Sequence, residues 1–121
     1  MSPQKNLALW RRIGFALSGL GHALRSERSV RFQVVVLALV FAVLAVFRPE
    51  AIWWAAVALA SAGVLAAELL NTAIETLADH LSPELHPQIR VVKDCAAAAV
   101  LIAVVGALVV AIALIARLLR G

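Results

Sequence analysis

The chain has 121 residues, 64% of them hydrophobic, against roughly 45–50% in an ordinary soluble domain. Charged residues make up only 15%, and the formal net charge is +4. That length allows one domain, and the composition excludes both a disordered chain and a water-soluble globule. The single cysteine, Cys95, excludes an intramolecular disulfide framework and a multi-cysteine zinc site, and it reads as a small buried residue with no redox role.

The segment Leu9 to Arg25 comes first. Trp10, Ile13, Leu17, Leu20 and Leu24 recur at three- and four-residue steps, while Arg11, Ser18, His22 and Arg25 fall on another face. A basic amphipathic helix next to a membrane span predicts a helix lying in the lipid interface, over about residues 7–26. Its charge is explained by anionic lipid or a nucleotide phosphate rather than by nucleic acid.

Three apolar stretches follow. Val34 to Phe47 contains no polar residue, Ile52 to Ala67 is interrupted only by Ser61, and Cys95 to Ala116 carries no charge. A spanning helix needs about 20 mostly apolar residues. The third stretch meets that alone, and the first two borrow from their polar ends. The expected spans are about 29–47, 51–80 and 92–118, giving an all-α membrane protein of three transmembrane helices plus the surface helix. No secretory leader is expected, because the first apolar run starts late and no small-residue cleavage site follows. Arg48-Pro49-Glu50 is so short a turn that the first two spans should form a tight antiparallel pair. Trp53 and Trp54 beside that turn read as an interfacial aromatic belt.

Basic residues set the orientation. Lys5, Arg11, Arg12, Arg25, Arg28, Arg31, Arg90 and Lys93 would share one side, and Arg48, Arg117 and Arg120 the other. The positive-inside rule places the amino terminus and the 76–94 loop in the cytoplasm and the carboxyl terminus outside.

Polar residues within the apolar frame carry the chemistry. Glu68, Asn71, Glu75 and Asp79 are spaced three, four and four residues apart and so share one face of the second span. The 16 residues from Ile52 to Ala67 rise about 24 Å, against a hydrocarbon core of about 30 Å. Glu68 therefore falls just inside the cytoplasmic boundary; a carboxylate at the bilayer centre would cost a few kcal/mol, and acids within spans usually serve a function. Glu75 and Asp79 further out also read simply as solvated acids, and Lys93-Asp94 as a snorkelling lysine beside a helix-start acid. Glu27 among Arg25, Arg28 and Arg31 also reads as an ordinary salt-bridged surface acid.

Together these residues form a chemical set. Glu27, Glu75 and Asp94, the Asn71 amide and Lys93 all lie at the cytoplasmic side. Carboxylate and amide oxygens suit Mg²⁺, which binds through one or two carboxylates plus substrate phosphates. A lysine neutralises phosphate as a point charge, and the drier Glu68 is placed to accept a proton from a lipid hydroxyl. These are parts for phosphoryl transfer to a membrane alcohol. No G-x-x-x-x-G-K-[ST] loop or protein-kinase glycine loop is present.

The string Glu68-Leu69-Leu70-Asn71-Thr72-Ala73-Ile74-Glu75, then Asp79, Ser82-Pro83-Glu84-Leu85-His86-Pro87 and Lys93-Asp94-Cys95-Ala96-Ala97-Ala98-Ala99-Val100-Leu101, resembles the small prokaryotic diacylglycerol kinase family, which includes the undecaprenol kinases. The resemblance implies ATP as phosphoryl donor and Mg²⁺ as cofactor. It also implies a bacterial inner-membrane location and a homotrimer with composite active sites. It makes Glu68 the catalytic base and Glu27 and Glu75 the metal-binding acids. Asn71, Lys93 and Asp94 would support the nucleotide and its transferring phosphate, Glu84 and His86 would contact the nucleotide, and Arg31 would stand at the lipid or nucleotide entrance.

Two positions depart from the family pattern. Ala8 stands where relatives often carry arginine, with Arg11 or Arg12 the nearest substitutes, and Gln33 stands where they often carry an acid or histidine. Small-residue faces, Ala56-Ala60-Gly63-Ala67 and Ala99-Ala103-Ala107-Ala111, provide surfaces for close helix packing.

The leading expectation is phosphorylation of diacylglycerol to phosphatidic acid, with undecaprenol as the alternative substrate. Two other classes compete. A small oligomeric ion or proton pathway lined by Glu68 and Glu75 has no use for Lys93-Asp94. An inactive interaction subunit leaves the acidic face without a purpose.

Overall fold

The structure, a computed structural model, describes residues 8–82, 84 and 86–121. Lys5 and the loop residues Pro83 and Leu85 lie outside the described residues. The described chain is helical, in four segments: α1 Ala8–Ser26, α2 Arg28–Phe47, α3 Ala51–Leu81 and α4 Pro87–Arg120. The last three are long and apolar enough to cross a membrane.

A single residue separates α1 from α2. Glu27 takes an extended backbone (φ −112°, ψ 115°) and stands at the N-cap of α2. Arg31 ties the joint together: its Nη1 donates to the carbonyls of Leu24 (3.0 Å) and Arg25 (2.9 Å). Those are among the last carbonyls of α1, which otherwise lack an intrahelical partner.

At the far end α2 closes on Arg48, which is left-handed (φ 47°) and donates its backbone N–H to Leu44. Pro49 prevents continuation, and α3 starts two residues later. The last helix begins at Pro87, five residues before the expected span, because His86 caps it: its Nδ1 accepts from the Gln88 N–H at 3.1 Å. Proline at the first helical position needs no hydrogen bond there.

Packing is strongest near the α2–α3 turn, where Leu44, Val57 and Leu114 form a buried cluster with Phe41, Trp53 and Trp54 against it. The Phe41 and Trp54 rings lie 5.9 Å apart, so these tryptophans pack inward as well as marking an interface. Across the same end Glu50 receives Arg117 through two bonds, Nη2 to Oε1 at 2.8 Å and Nε to Oε2 at 3.2 Å. That guanidinium holds the Glu50 carboxyl below its ordinary value of 4.5.

The first two spans do pack beside the turn, and the more extensive helix pairing is α3 with α4. The turn fixes α2 beside α3 at one end only. Further along, a groove of about 510 Å³ opens between α2 and α4 over α3, lined by residues such as Val40, Val64 and Ala107. Cys95 is exposed, contrary to expectation, because its neighbour Ala96 takes the inward position of α4. Gly63 faces open space rather than another helix of the chain. Large apolar side chains such as Leu59 (77% exposed) and Ile102 (72%) stand bare along the spans. Such surface is stable in hydrocarbon, not in water.

Candidate active site

Glu68 is the one buried polar or charged side chain among the described residues, with 9% of its surface exposed. It lies on α3 between buried Val64 and half-buried Asn71, in the row that turns toward α2. Its Oε2 accepts a hydrogen bond from the Ser29 hydroxyl of α2 at 3.2 Å. No cation is paired with it among the described residues.

One turn on, Asn71 Nδ2 donates to Glu75 Oε1 at 3.2 Å. That bond fixes which way the amide points and leaves Asn71 Oδ1 buried without a partner among the described residues. An unsatisfied buried carbonyl oxygen costs about 1–3 kcal/mol, and in a native protein it marks a place for a ligand, a water or an ion. Glu75 itself is exposed.

A further turn along, Asp79 forms an ion pair with Lys93 of α4. This pair ties the two long helices together beyond the Glu68 level. The sequence placed Asp79 on the acidic face without a function, and the structure gives it the lysine expected to meet a phosphate. Asp94 is exposed beside that lysine.

Glu27 stands at the start of α2, on the α2 side of the Ser29–Glu68 contact. It is half-buried, makes no side-chain cap to α2 and has no salt bridge among the described residues, contrary to the reading of it as a paired surface acid. Glutamate is a poor N-cap compared with Ser, Thr, Asp or Asn. Its carboxylate is thus unused by the fold, two residues from the serine that reaches Glu68.

The other expected residues have local structural work. His86 caps α4 through Nδ1, and its backbone N–H donates to Ser82 Oγ at 3.4 Å. Glu84 is exposed in the same loop. Both lie past the end of α3, thirteen residues from Glu68 to Leu81 and so about 20 Å along the helix axis. A single chain does not bring them to Glu68. Arg31 spends its Nη1 on the α1 carbonyls, and its other guanidinium donors have no hydrogen bond among the described residues.

The donor set bears on a divalent cation. Among the described residues no three His, Cys, Asp or Glu side chains converge, so one chain offers no complete protein cage. Mg²⁺ does not require one, since it takes one or two carboxylates and completes its shell with water and substrate phosphate. Unused Glu27, exposed Glu75 and the orphaned Asn71 oxygen have the hard-oxygen character that cation prefers. The residues fit.

Comparison with known proteins bears on this arrangement. The chain matches the family described as prokaryotic diacylglycerol kinase over residues 14–115. The chain belongs to the prokaryotic diacylglycerol kinase family. A diacylglycerol kinase of Synechocystis is 35% identical over 97 residues, covering 79% of this chain and 55% of that protein. The chain thus spans about half the length of this curated relative. Every candidate residue from Glu27 to Asp94 falls inside the segment matched to the family.

Sequence reasoning missed Ser29 and the pairing of Asp79 with Lys93. Both are contacts between helices, and neither has a signature in spacing along one helix. A partial signal for Ser29 was its place two residues after an acid in an otherwise basic stretch.

Proposed function

We propose that this chain is an ATP- and Mg²⁺-dependent lipid kinase that phosphorylates the hydroxyl of diacylglycerol to give phosphatidic acid. The observation that carries the reading is Glu68: a buried carboxylate, held by a neutral hydroxyl and unpaired with any described cation. A carboxylate with one oxygen free of hydrogen bonds and no described cation beside it is placed to accept a proton from a hydroxyl.

In the reaction Glu68 takes the proton from the lipid hydroxyl as its oxygen attacks the terminal phosphorus of ATP. The bond from that phosphorus to the bridging oxygen breaks, and ADP leaves. Glu27 and Glu75 would hold Mg²⁺, which when bound offsets charge on the nucleotide phosphates. The Asn71 amide orients Glu75 through the bond at 3.2 Å, and its oxygen has no partner among the described residues. Lys93, held on α4 near that face by Asp79, offsets charge on the transferring phosphoryl group. Glu84, His86 and Asp94 line the approach of the nucleotide, and Arg31 borders the lipid side.

The working unit in this reading is a homotrimer in the bacterial inner membrane, with each site completed by a neighbouring copy. Support comes from the sparse burial of the spans, at most 17% of a span's apolar window, and from the separation of His86 and Glu84 from Glu68 in one chain. The amino terminus and the α3–α4 loop would face the cytoplasm, where ATP is found.

The test is transfer of labelled terminal phosphate from ATP by the purified protein in mixed micelles, with diacylglycerol and undecaprenol compared side by side. Labelled phosphatidic acid is the expected product. Transfer to undecaprenol alone would keep the chemistry and change the substrate, and transfer to neither would refute the kinase reading.

A further inference from the structure

Some hydroxyl side chains in these helices bond the carbonyl one turn back. Ser26 Oγ bonds the His22 carbonyl at 2.9 Å, and Thr76 Oγ1 bonds the Thr72 carbonyl at 2.8 Å. Ser29, the second residue of α2, has no carbonyl of its own helix one turn back. The carbonyl four residues before it, Arg25, receives the guanidinium of Arg31, and the Ser29 hydroxyl crosses from α2 to α3 to meet Glu68.

From this we infer that Ser29 is a positioning residue for Glu68, a role that rests on the reading of Glu68 as the base. Two consequences follow from the geometry. The bond occupies Oε2 and selects one carboxylate rotamer, so that Oε1, which has no hydrogen bond among the described residues, is the oxygen presented to the lipid hydroxyl. It also anchors the buried side chain across the α2–α3 contact, as its one described hydrogen bond. At 3.2 Å the bond is longer than the usual O–H···O distance of about 2.7–2.8 Å. Contacts of this kind in unliganded sites shorten when substrate arrives. Ser29 also follows Glu27 by two residues on the same helix start, so one short segment sets both the base and a metal-binding acid.

The experiment measures kcat and KM for both substrates in mixed micelles for wild type, Ser29→Ala, Ser29→Thr and Ser29→Cys. A lost hydrogen bond to a charged group predicts a kcat lower on the order of tenfold in Ser29→Ala, with KM for ATP unchanged. Ser29→Thr, which keeps the hydroxyl, should restore the rate, and Ser29→Cys, a weak donor, should fall between. The alanine effect should also vanish when Glu68 is already shortened to aspartate, because the bond is then absent. A purely structural role would lower the thermal midpoint in detergent and move KM and kcat together. Wild-type kcat in Ser29→Ala, or a threonine variant as slow as alanine, overturns the positioning role while leaving the kinase reading intact. Absence of phosphate transfer by the wild-type protein itself overturns that reading, and this inference with it.

Discussion

Replacing Glu68 with glutamine isolates proton acceptance from every other property of the side chain. The amide has nearly the same shape, and its oxygen can accept the Ser29 bond that Glu68 now takes at 3.2 Å. The buried position therefore stays filled and hydrogen-bonded, and stability should change little. What disappears is a group able to carry away the hydroxyl proton. The next acid on that face, Glu75, stands seven residues and so about 10 Å along α3, too far to reach the same hydroxyl. Loss of a general base without a substitute costs about a hundredfold to ten-thousandfold, or about 2.7–5.5 kcal/mol in the barrier. The assay is the initial rate of labelled phosphate transfer, with KM for ATP and the thermal midpoint in detergent measured on the same preparation. The expected pattern is a kcat at least a hundredfold lower, with KM for ATP and the thermal midpoint near wild type. Turnover within tenfold of wild type would show that Glu68 is not the base.

Three further outcomes are expected. Lys93→Met should lower kcat at least about a hundredfold, whereas Asp79→Asn should cost less than tenfold, because exposed ion pairs contribute only about 0–1 kcal/mol; equal losses would mean that Lys93 acts only through the pair. Arg31→Gln removes the tie to the Leu24 and Arg25 carbonyls and should speed tryptic cleavage at Arg25 and Arg28, and an unchanged cleavage rate would count against that tie as the stabiliser of the joint. Because Arg117 holds the folded-state Glu50 carboxyl below 4.5, its contribution is fully present above the ordinary carboxylate range and fades as pH falls through the lowered value. The thermal midpoint should therefore drop on acidification more in wild type than in Glu50→Gln.

Periodicity made the helices legible. Apolar runs of sufficient length, with Pro49 and Pro87 as punctuation, yield four helices of which three can span a membrane. The shared face of Glu68, Asn71 and Glu75 was legible for the same reason, since three- and four-residue spacing is a property of one helix. The contacts between helices were not. Nothing in the string says that Ser29 faces Glu68 or that Asp79 faces Lys93, because the relative rotation of two helices is set by packing over their whole length. The preference of α3 for α4 over α2 was hidden for a related reason. A tight turn dictates proximity at one end and says little about the remaining 30 Å or so.

The three long helices differ in length, and that difference would set the depth of the proposed reaction. Twenty residues of α2 span about 30 Å, close to the thickness of the hydrocarbon core. The 31 residues of α3 and 34 of α4 span about 46 and 51 Å, so both run on by roughly 16–21 Å past one surface. Ser29 is the second residue of the helix that only just crosses, so it lies at the boundary, and its bond to Glu68 brings that carboxylate to the same level. Everything on α3 beyond Glu68 then stands in the headgroup and aqueous layer: the Asn71–Glu75 pair first, then Asp79 with Lys93 about 16 Å out. A lipid alcohol presents its hydroxyl at the hydrocarbon edge, and a nucleotide keeps its phosphates in water. The order of side chains along α3, proton acceptor at the edge and phosphate-facing groups outward, is the order in which those two substrates would have to meet.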